Sequence, residues 1–391
     1  MLGRRVAVTG IGVVAKAGLG KDEFWKGLIG NAPESTRFIE DWDASSYFDN
    51  PKDARRSDRY TQFALAAATE AIEQAGDISA DPARRGTSIG TGIGGIGTLE
   101  TQIEVRLEKG EKRVSPFLVP MMMPNAAPAA VSMRFGWQGP CENTVTACAA
   151  GTHAIGNGAR MVADGRCDVV IAGGAEAPFT PTAIAGFANM TALSSSGVSM
   201  PFDVKRDGFV MGEGCGLLVL EAWDVAVERG ATILGEILGS ASTADAHHIT
   251  APSPGGTGAV TCMQLAIEDA GLTSADIGHI NAHGTSTGKN DAAEAEAVAK
   301  VFGTDRGPFV TSTKGITGHA LGAAGALEAV AVMLAMQHEL IPPTVGLTEP
   351  DPEFPAINLV MGEPKPWTPA PSLSNSFGFG GHNGTLVLGP A

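Results

Sequence analysis

A cysteine among small residues is the strongest chemical signal in the sequence. Cys148 lies in the segment Thr-Ala-Cys-Ala-Ala-Gly, residues 146–151, and a run of small residues with helical periodicity follows it. A cysteine in the first turn of a helix lies at the positive end of the helix dipole, which favours the nucleophilic thiolate. Its backbone N–H can also donate to an oxyanion. A cysteine between alanines can equally be a small core residue, so this segment alone leaves both interpretations open.

Two histidines in the second part of the chain lie in a matching context. His283 belongs to Asn-Ala-His-Gly-Thr-Ser-Thr and His319 to Lys-Gly-Ile-Thr-Gly-His, each just past a predicted strand. Because the C-terminal ends of strands in an open α/β sheet meet at one edge, Cys148, His283 and His319 can converge there. We interpret His153, five residues beyond the cysteine and on another side of its helix, as structural.

Two other kinds of chemistry are weaker alternatives. Asp291 and Glu294, three residues apart at a predicted helix start, could form a metal site with the histidines. That spacing suits helix capping equally well and matches no common set of metal ligands, so we predict no metal.

Gly10 and Gly12 suggest a dinucleotide-binding turn, but that motif needs a helix directly after the glycines, and here a helix is predicted only from Lys21. We predict no cofactor.

Short apolar runs alternate with alanine-rich helical segments, which predicts an α/β protein with a buried sheet. The predicted strands are 6–9, 87–90, 168–172, 216–221, 279–282, 309–312 and 385–388, and the main predicted helices are 60–75, 152–163, 259–270 and 323–337. We interpret residues 374–384, which are rich in glycine and contain Phe377 and Phe379, as a loop before the last strand.

An internal repeat predicts two similar halves. Residues 71–81 read AIEQAGDISAD and residues 266–276 read AIEDAGLTSAD, with eight of eleven positions identical. Each copy follows an alanine-rich helix and precedes a strand. We therefore expect an N-terminal half, residues 1–235, carrying the cysteine and a C-terminal half, residues 236–391, carrying the two histidines. No low-complexity linker separates them, so they should pack as one body.

The composition excludes several functional classes. The chain of 391 residues has 42 acidic and 27 basic side chains, a formal net charge of −15, which disfavours binding to nucleic acid or an anionic membrane. No apolar run reaches the roughly 20 residues of a membrane span, so we expect no membrane insertion. Five scattered cysteines without a CxxC pair indicate reduced thiols and a cytoplasmic location.

Taken together, the motifs resemble the elongating, type II β-ketoacyl-[acyl-carrier-protein] synthases. The resemblance covers nearly the whole chain and is carried in order by VAVTGIGVVA, GTGIGG, TACAAG, VVIAGGAEA, FDVKRDGFVMGEG, NAHGTSTGKNDAAE, TKGITGHALGAAGALEA and SNSFGFGGHN. It implies the thiolase-like fold, in which two similar α/β halves pack as a five-layered αβαβα body. It also implies a homodimer or a heterodimer with a ketosynthase-like partner.

The resemblance also implies a role for individual residues. Cys148 matches the acyl-accepting nucleophile, and His283 and His319 match the two histidines of a Cys-His-His set. Lys314 with Glu328 matches a pair for charge balance, Asp291 and Glu294 match supporting acids, and Phe379 matches a gate whose N–H joins that of Cys148 in an oxyanion hole. The substrate contacts are Thr285 and Thr287 for the phosphopantetheine arm and Ile93 and Phe187 for the acyl pocket. Lys112 and Arg113 match residues that dock acyl carrier protein.

The implied reaction is a decarboxylative Claisen condensation of a Cys148-bound acyl chain with malonyl-acyl carrier protein, as in fatty acid synthesis, and it needs no cofactor. The main alternative is the ketosynthase subunit of a type II polyketide synthase, acting with a partner subunit. A degradative thiolase would carry a second cysteine in the loop that here holds Phe377 and Phe379, and an initiating synthase would carry Asn in place of His319. A non-catalytic scaffold and an NAD(P)-dependent oxidoreductase are remote alternatives.

Overall fold

Strands and helices alternate along the chain, which confirms the α/β prediction. The computed structural model describes residues 1–31, 36–304 and 307–391. The strands are β1 (Val6–Ala15), β2 (Gly18–Leu19), β3 (Arg85–Gly90), β4 (Cys141–Glu142), β5 (Val169–Glu176), β6 (Gly214–Ala222), β7 (Gly235–Ala244), β8 (His279–Asn281), β9 (Phe309–Thr311), β10 (Leu340–Ile341), β11 (Lys365–Pro366), β12 (Ser372–Gly378) and β13 (His382–Gly389). The helices are α1 (Lys21–Leu28), α2 (Arg59–Ala75), α3 (Ile96–Lys109), α4 (Leu118–Met122), α5 (Ala126–Phe135), α6 (Ala150–Ala163), α7 (Pro181–Asn189), α8 (Trp223–Glu228), α9 (Thr257–Asp269), α10 (Gly288–Phe302), α11 (Lys314–Thr317) and α12 (Ala324–Gln337).

The order of strands in the main sheet is mirrored about its centre. The strands run β4-β3-β5-β6-β1-β7-β13-β12-β8-β9, with β2 paired to β1. The pairs β3–β5 and β3–β4 are parallel, as are their counterparts β8–β12 and β8–β9, and the inner pairs are antiparallel on both sides. This order supports the proposed division of the chain into two similar halves that meet where β1 pairs with β7. The exact boundary at residue 235 remains a proposal.

Three apolar clusters fill the spaces between the five layers of helices and strands. One cluster joins α6 and α12 to strands of both halves, a second joins α2 and α5 to the N-terminal strands, and a third joins α9 and α10 to the C-terminal strands. Helix α12 is buried from Ala324 to Met336 on all sides, as a helix between two sheet faces must be. The two central helices therefore lie between the halves, and the other two pairs cover the outside.

The internal repeat occupies equivalent places in the two halves. Its copies begin in the last turns of α2 and α9, and β3 and β8 follow them. Gly76 and Gly271, which lie at matching positions of the repeat, both have positive φ angles, of 76° and 69°. Glycine adopts this conformation at the end of a helix without the steric cost that a Cβ would bring, which explains its presence in both copies.

The glycines near the N-terminus serve packing. Residues 6–15 form one strand, longer than the predicted 6–9, and a helix begins only at Lys21, as predicted. A Cβ at Gly10 would lie 2.0 Å from the carbonyl oxygen of Ala71, and one at Gly12 would lie 1.8 Å from that of Ala67. These glycines therefore allow α2 to pack closely on β1.

Two of the longer strands, and the two-residue strands β2, β4, β10 and β11, differ from the sequence predictions. Strand β7 was not predicted, and residues 374–378, predicted as loop, belong to β12, so that only Phe379–Gly381 form a turn before β13. Both strands are rich in serine, and β12 also contains a buried asparagine, Asn375. Small polar residues favour turns in isolation, but here pairing with neighbouring strands and burial within the sheet determine the conformation.

Candidate active site

Cys148 lies on a strained turn between the sheet and a central helix. A short 3₁₀ turn, Ala147–Ala149, leads directly into α6, and Ala147 has a φ of 49°, which non-glycine residues rarely adopt. The cysteine side chain is buried among Phe209, Met211 and Leu321. Strain of this kind costs about 1–3 kcal/mol and occurs preferentially where a side chain must be aimed.

The two predicted histidines converge on this cysteine. Nε2 of His319 lies 3.0 Å from Sγ of Cys148, although the residues are 171 positions apart. The rings of His283 and His319 lie 5.3 Å apart, nearly perpendicular to each other. His283 follows β8, and the backbone N–H of His319 donates to the carbonyl of Val210 at 2.7 Å, which fixes the loop beyond α11. The N-terminal half thus supplies the thiol and the C-terminal half supplies both imidazoles.

Burial controls protonation at the site. Burial, with the nearby charge of Lys314, holds the pKa of both His283 and His319 well below the usual value, so both imidazoles are neutral. Burial raises the pKa of the Cys148 thiol to about 11, against opposing effects of the Phe379 N–H and Lys314. The expectation of a resting thiolate at the helix terminus is therefore wrong for the free enzyme. Removal from water outweighs the helix dipole, and Nε2 of His319, 3.0 Å away, is the ring nitrogen in contact with the thiol.

A buried ion pair lies behind the histidines. Nζ of Lys314 contacts Oε1 of Glu328, and both side chains are 1% exposed. The same ammonium group donates to the carbonyl oxygen of His283 and lies 3.4 Å from its Nδ1. Burial raises the pKa of Glu328 to about 7, against the effect of Lys314. Lys314 thus connects a carboxylate to one of the two imidazoles.

The two predicted supporting acids hold backbone rather than side chains. Glu294 accepts hydrogen bonds from the N–H groups of His283 and Gly284, at 2.8 and 2.7 Å. Asp291 accepts one from the N–H of Phe202 at 2.9 Å. Both carboxyl groups are buried, which raises their pKa values, that of Glu294 to about 7. Glu294 therefore fixes the loop that carries His283, and Asp291 holds the segment at Phe202 against the start of α10.

The turn after β12 brings a second backbone N–H to the thiol. A Cβ at Gly378 would lie only 3.0 Å from the backbone nitrogen of Cys148, so the two segments are in close contact. The N–H groups of Phe379 and of Cys148 itself both lower the pKa of the thiol, because they donate toward the sulfur. Two donors directed at one place are what an oxyanion hole requires.

A pocket with two kinds of wall leads to these groups. Its empty volume is about 930 Å³, including space open to solvent. Ile93, Phe187, Phe209 and Leu321 form an apolar wall beside Cys148, while Thr285 and Thr287 line the polar side together with Lys289 and Asn290. The hydroxyls of the two threonines lie 2.9 Å apart. The apolar wall suits an aliphatic chain and the polar side suits an amide-containing arm.

Lys112 and Arg113 lie away from the pocket lining. They are exposed in a short turn, Glu111–Arg113, after α3. The described structure brings the other predicted residues together around the pocket or directly behind it.

Three further residues were not predicted to belong to the site. Glu176, at the end of β5, is buried and accepts hydrogen bonds from the hydroxyl of Thr91 and the N–H of Gly322, both at 2.9 Å. The sequence does offer a signal for Glu176, because it is an acidic residue at the end of an otherwise apolar strand. Phe209 packs edge-on against His319 at 5.3 Å, and nothing in its local sequence marks it. His153, interpreted as structural, donates from Nε2 to the carbonyl of Asn383 at 3.0 Å, and its Nδ1 accepts from the hydroxyl of Thr146 at 2.8 Å.

The same three residues could surround a metal ion geometrically. One donor atom from each of Cys148, His283 and His319 lies within 4.8 Å of the others. The absence of a metal from the reaction remains a prediction from the sequence.

Comparisons with known proteins agree with this geometry. Residues 49–226 match the beta-ketoacyl synthase N-terminal domain, and residues 234–348 match the C-terminal domain of the same family. The chain is also 44% identical to 3-oxoacyl-[acyl-carrier-protein] synthase 2 of Synechocystis sp. (strain PCC 6803), over 98% of both chains. The chain belongs to the beta-ketoacyl synthase family. It is therefore an acyl-transferring condensing enzyme.

Solved structures of other beta-ketoacyl synthases share the whole fold. The ishigamide ketosynthase/chain length factor matches with a TM-score of 0.93 and 32% identity over 100% of both chains. The type II polyketide ketosynthase AntDE, in complex with its acyl-carrier protein AntF and bound to a hexaketide, matches with a TM-score of 0.90 and 32% identity, again over 100% of both chains. In the described part of this ketosynthase, no helix has the length and apolar character needed to cross a membrane.

Proposed function

We propose that this protein elongates acyl chains in fatty acid synthesis by condensing a Cys148-bound acyl group with malonyl-acyl carrier protein. The observation that carries the proposal is the contact of 3.0 Å between the Cys148 thiol and Nε2 of His319, with a second neutral imidazole beside it. The similarity to a 3-oxoacyl-[acyl-carrier-protein] synthase 2 supports the reaction class.

The first half of the reaction loads the acyl chain. Nε2 of His319 accepts the thiol proton as Sγ of Cys148 attacks the carbonyl carbon of an acyl thioester. The N–H groups of Cys148 and Phe379 stabilise the oxyanion that forms, and each such donor contributes about 3–4 kcal/mol. The carbon–sulfur bond to phosphopantetheine then breaks, and the departing sulfur takes the proton from Nε2 of His319. Proton exchange with solvent then returns His319 to the neutral form that carries its proton on Nε2, which can donate in the second half. The acyl chain occupies the apolar wall formed by Ile93, Phe187 and Phe209.

The second half forms the carbon–carbon bond. Malonyl thioester enters past Thr285 and Thr287, and the neutral imidazoles of His283 and His319 donate hydrogen bonds to its thioester oxygen. The bond between the malonyl carbon and its carboxylate breaks and carbon dioxide leaves. The electron pair of that bond stays on the carbon and forms an enolate with the thioester. The enolate carbon attacks the acyl carbonyl, the bond between the acyl carbon and the sulfur of Cys148 breaks, and the cysteine thiolate takes up one proton from solvent. Burial and the charge of Lys314 disfavour an imidazolium at either position, so both rings stay neutral and each keeps one N–H that can donate.

A second candidate is the ketosynthase subunit of a type II polyketide synthase. Its support is the full-length likeness to two ketosynthases of such systems. Their identity of 32% is lower than the 44% shared with the Synechocystis synthase, which favours fatty acid elongation.

The partners follow from the same proposal. Acyl carrier proteins are acidic and this chain has a net charge of −15, so a local basic patch at Lys112 and Arg113 would have to guide docking.

We also propose a homodimer, because β4 lies at the edge of the sheet with both residues exposed and its outer side available for pairing with a second copy. The five unpaired cysteines suit the cytoplasm.

A reconstituted reaction tests the proposal. The purified protein alone, given a saturated acyl-acyl carrier protein and malonyl-acyl carrier protein, should release one carbon dioxide per 3-oxoacyl product with two more carbons. Dependence on an added ketosynthase-like subunit, with products of several successive extensions, would favour the polyketide alternative. Cys148→Ala is the matched inactive control.

A further inference from the structure

The polar side of the pocket contains a basic side chain that the proposed reaction has not used. Among the described residues that line the pocket, Lys289 alone is cationic at neutral pH, since His283 and His319 are neutral. The one acidic lining residue, Asp245, is already engaged: it accepts from Nδ2 of Asn383 at 2.8 Å and from the N–H of Ser253 at 2.9 Å. The carboxylate of Asp245 is held by these donors and forms no ion pair with Lys289, so the ammonium group of Lys289 can contact a ligand.

The position of Lys289 is unfavourable for stability. It is the second residue of α10, where the helix dipole is positive and a cation is disfavoured by a few tenths of a kcal/mol or more. Its side chain is exposed, and no carboxylate of the described chain lies within the 4.0 Å of an ion pair. A residue that violates a local preference without a compensating partner is a candidate for a functional contact.

The surrounding pocket indicates what the missing partner is. Lys289 lies two residues beyond Thr287, on the polar side, whereas Cys148 lies against the apolar wall. A substrate arm whose thioester reaches Cys148 must leave the pocket past Thr285 and Thr287. The other end of a phosphopantetheine arm is a phosphodiester, which carries a negative charge at every working pH.

We propose that Lys289 binds the phosphate of the phosphopantetheine arm at the mouth of the pocket. This inference rests on the proposed function, because it takes the arm as the substrate carrier. The ammonium group forms a charge-assisted contact with a phosphate oxygen, which holds the arm in register while its thioester lies at Cys148. The pairing is exposed to solvent, so it contributes to binding of the arm and weakens as salt concentration rises.

The test compares two small acyl donors that differ only in the phosphate. Octanoyl-4′-phosphopantetheine and octanoyl-pantetheine are each incubated with wild-type protein, and acylation of Cys148 is followed by intact-mass spectrometry. Lys289→Ala should lower kcat/KM for the phosphorylated donor by about threefold to fivefold, the size of an exposed ion pair, and leave the other donor unchanged. Lys289→Arg should retain the preference for phosphate, and Lys26→Ala, at a distant exposed lysine, should change neither rate.

Each other outcome overturns the proposal. An equal loss with both donors would indicate that Lys289 contacts the pantetheine part or shapes the pocket. An effect seen only with intact carrier protein would indicate an acidic side chain of the carrier as the partner. No effect with any donor would leave Lys289 without a role in binding. If wild-type protein takes up no acyl group from any donor, including acyl carrier protein, the proposed function itself fails, and that result is distinct from the three above.

Discussion

Nε2 of His319 lies 3.0 Å from Sγ of Cys148, across the junction between the two halves of the molecule. Neither half can form this pair alone, because the cysteine begins a central helix of one half and the histidine follows α11 of the other. The shared core around α6 and α12 holds the two segments in place. The catalytic chemistry that we propose therefore depends directly on how the halves pack.

Replacing the cysteine should separate the two halves of the reaction. Cys148→Ala should abolish condensation, because no sulfur remains to hold the acyl chain. Cys148→Gln should also abolish acyl transfer, but should retain decarboxylation of malonyl-acyl carrier protein, since both imidazoles remain. Release of carbon dioxide and formation of product should be measured in parallel. Cys141→Ala, at an exposed cysteine, serves as the control and should behave as wild type. Full condensation by Cys148→Ala would refute the assignment of the nucleophile.

The reactivity of Cys148 should increase with pH over an unusually wide range. Burial raises the pKa of the thiol to about 11, so in the free enzyme the fraction of thiolate keeps rising as pH increases from 7 to 10. Alkylation by iodoacetamide, quantified at Cys148 by peptide mass spectrometry, should accelerate across this interval. A small thiol compound in the same buffers levels off near its ordinary pKa of about 8.5. A plateau for Cys148 below pH 8 would instead indicate a stabilised resting thiolate.

Removing one partner of the buried ion pair Lys314–Glu328 should destabilise the protein more than removing both. Glu328→Leu leaves a buried ammonium group without its carboxylate and should lower the free energy of unfolding by about 3–5 kcal/mol. Adding Lys314→Met to this variant removes the isolated charge, and should recover most of that loss in urea unfolding experiments. Condensation should remain strongly impaired in the double variant, because Lys314 no longer contacts His283. A double variant as unstable as Glu328→Leu would contradict this account of the pair.

Reversing the proposed docking charges should weaken use of the carrier. Replacing both Lys112 and Arg113 with glutamate should raise the KM for acyl carrier protein several-fold and leave kcat nearly unchanged, since both residues lie outside the pocket. The same variant should use acyl-pantetheine, which lacks the carrier, as well as wild type does. Replacing Lys26 and Lys365, two exposed lysines elsewhere on the chain, with glutamate changes the net charge by the same amount and is the matched control. An unchanged carrier KM would exclude this patch as the docking site.

Much of this site could be predicted from the sequence because its key residues lie in short, distinctive segments. Cys148, His283 and His319 each follow or begin a recognisable element, and the repeat at 71–81 and 266–276 predicted the paired halves. Strands β7 and β12 could not be recognised, because their small polar residues become strand only through pairing with neighbours in the sheet. Phe209 was missed for a similar reason, since only folding brings it against His319.

The protonation state of Cys148 was also beyond prediction from its local sequence. Its place at a helix start suggests a thiolate, but Phe209, Met211 and Leu321, all distant in sequence, bury it. Desolvation by these residues outweighs the helix dipole and raises the pKa of the thiol. Local sequence marks Cys148 as a candidate nucleophile, whereas its ionisation depends on residues that only folding brings around it.

The most direct measurement of the central claim is the intact mass of the protein through one reaction cycle. After exposure to an acyl-acyl carrier protein, the mass should increase by one acyl group, located on Cys148 by peptide mapping. Adding malonyl-acyl carrier protein should return the protein to its original mass and give a 3-oxoacyl-acyl carrier protein longer by two carbons. An acyl group on another residue, or its release as free acid without extension, would contradict the account.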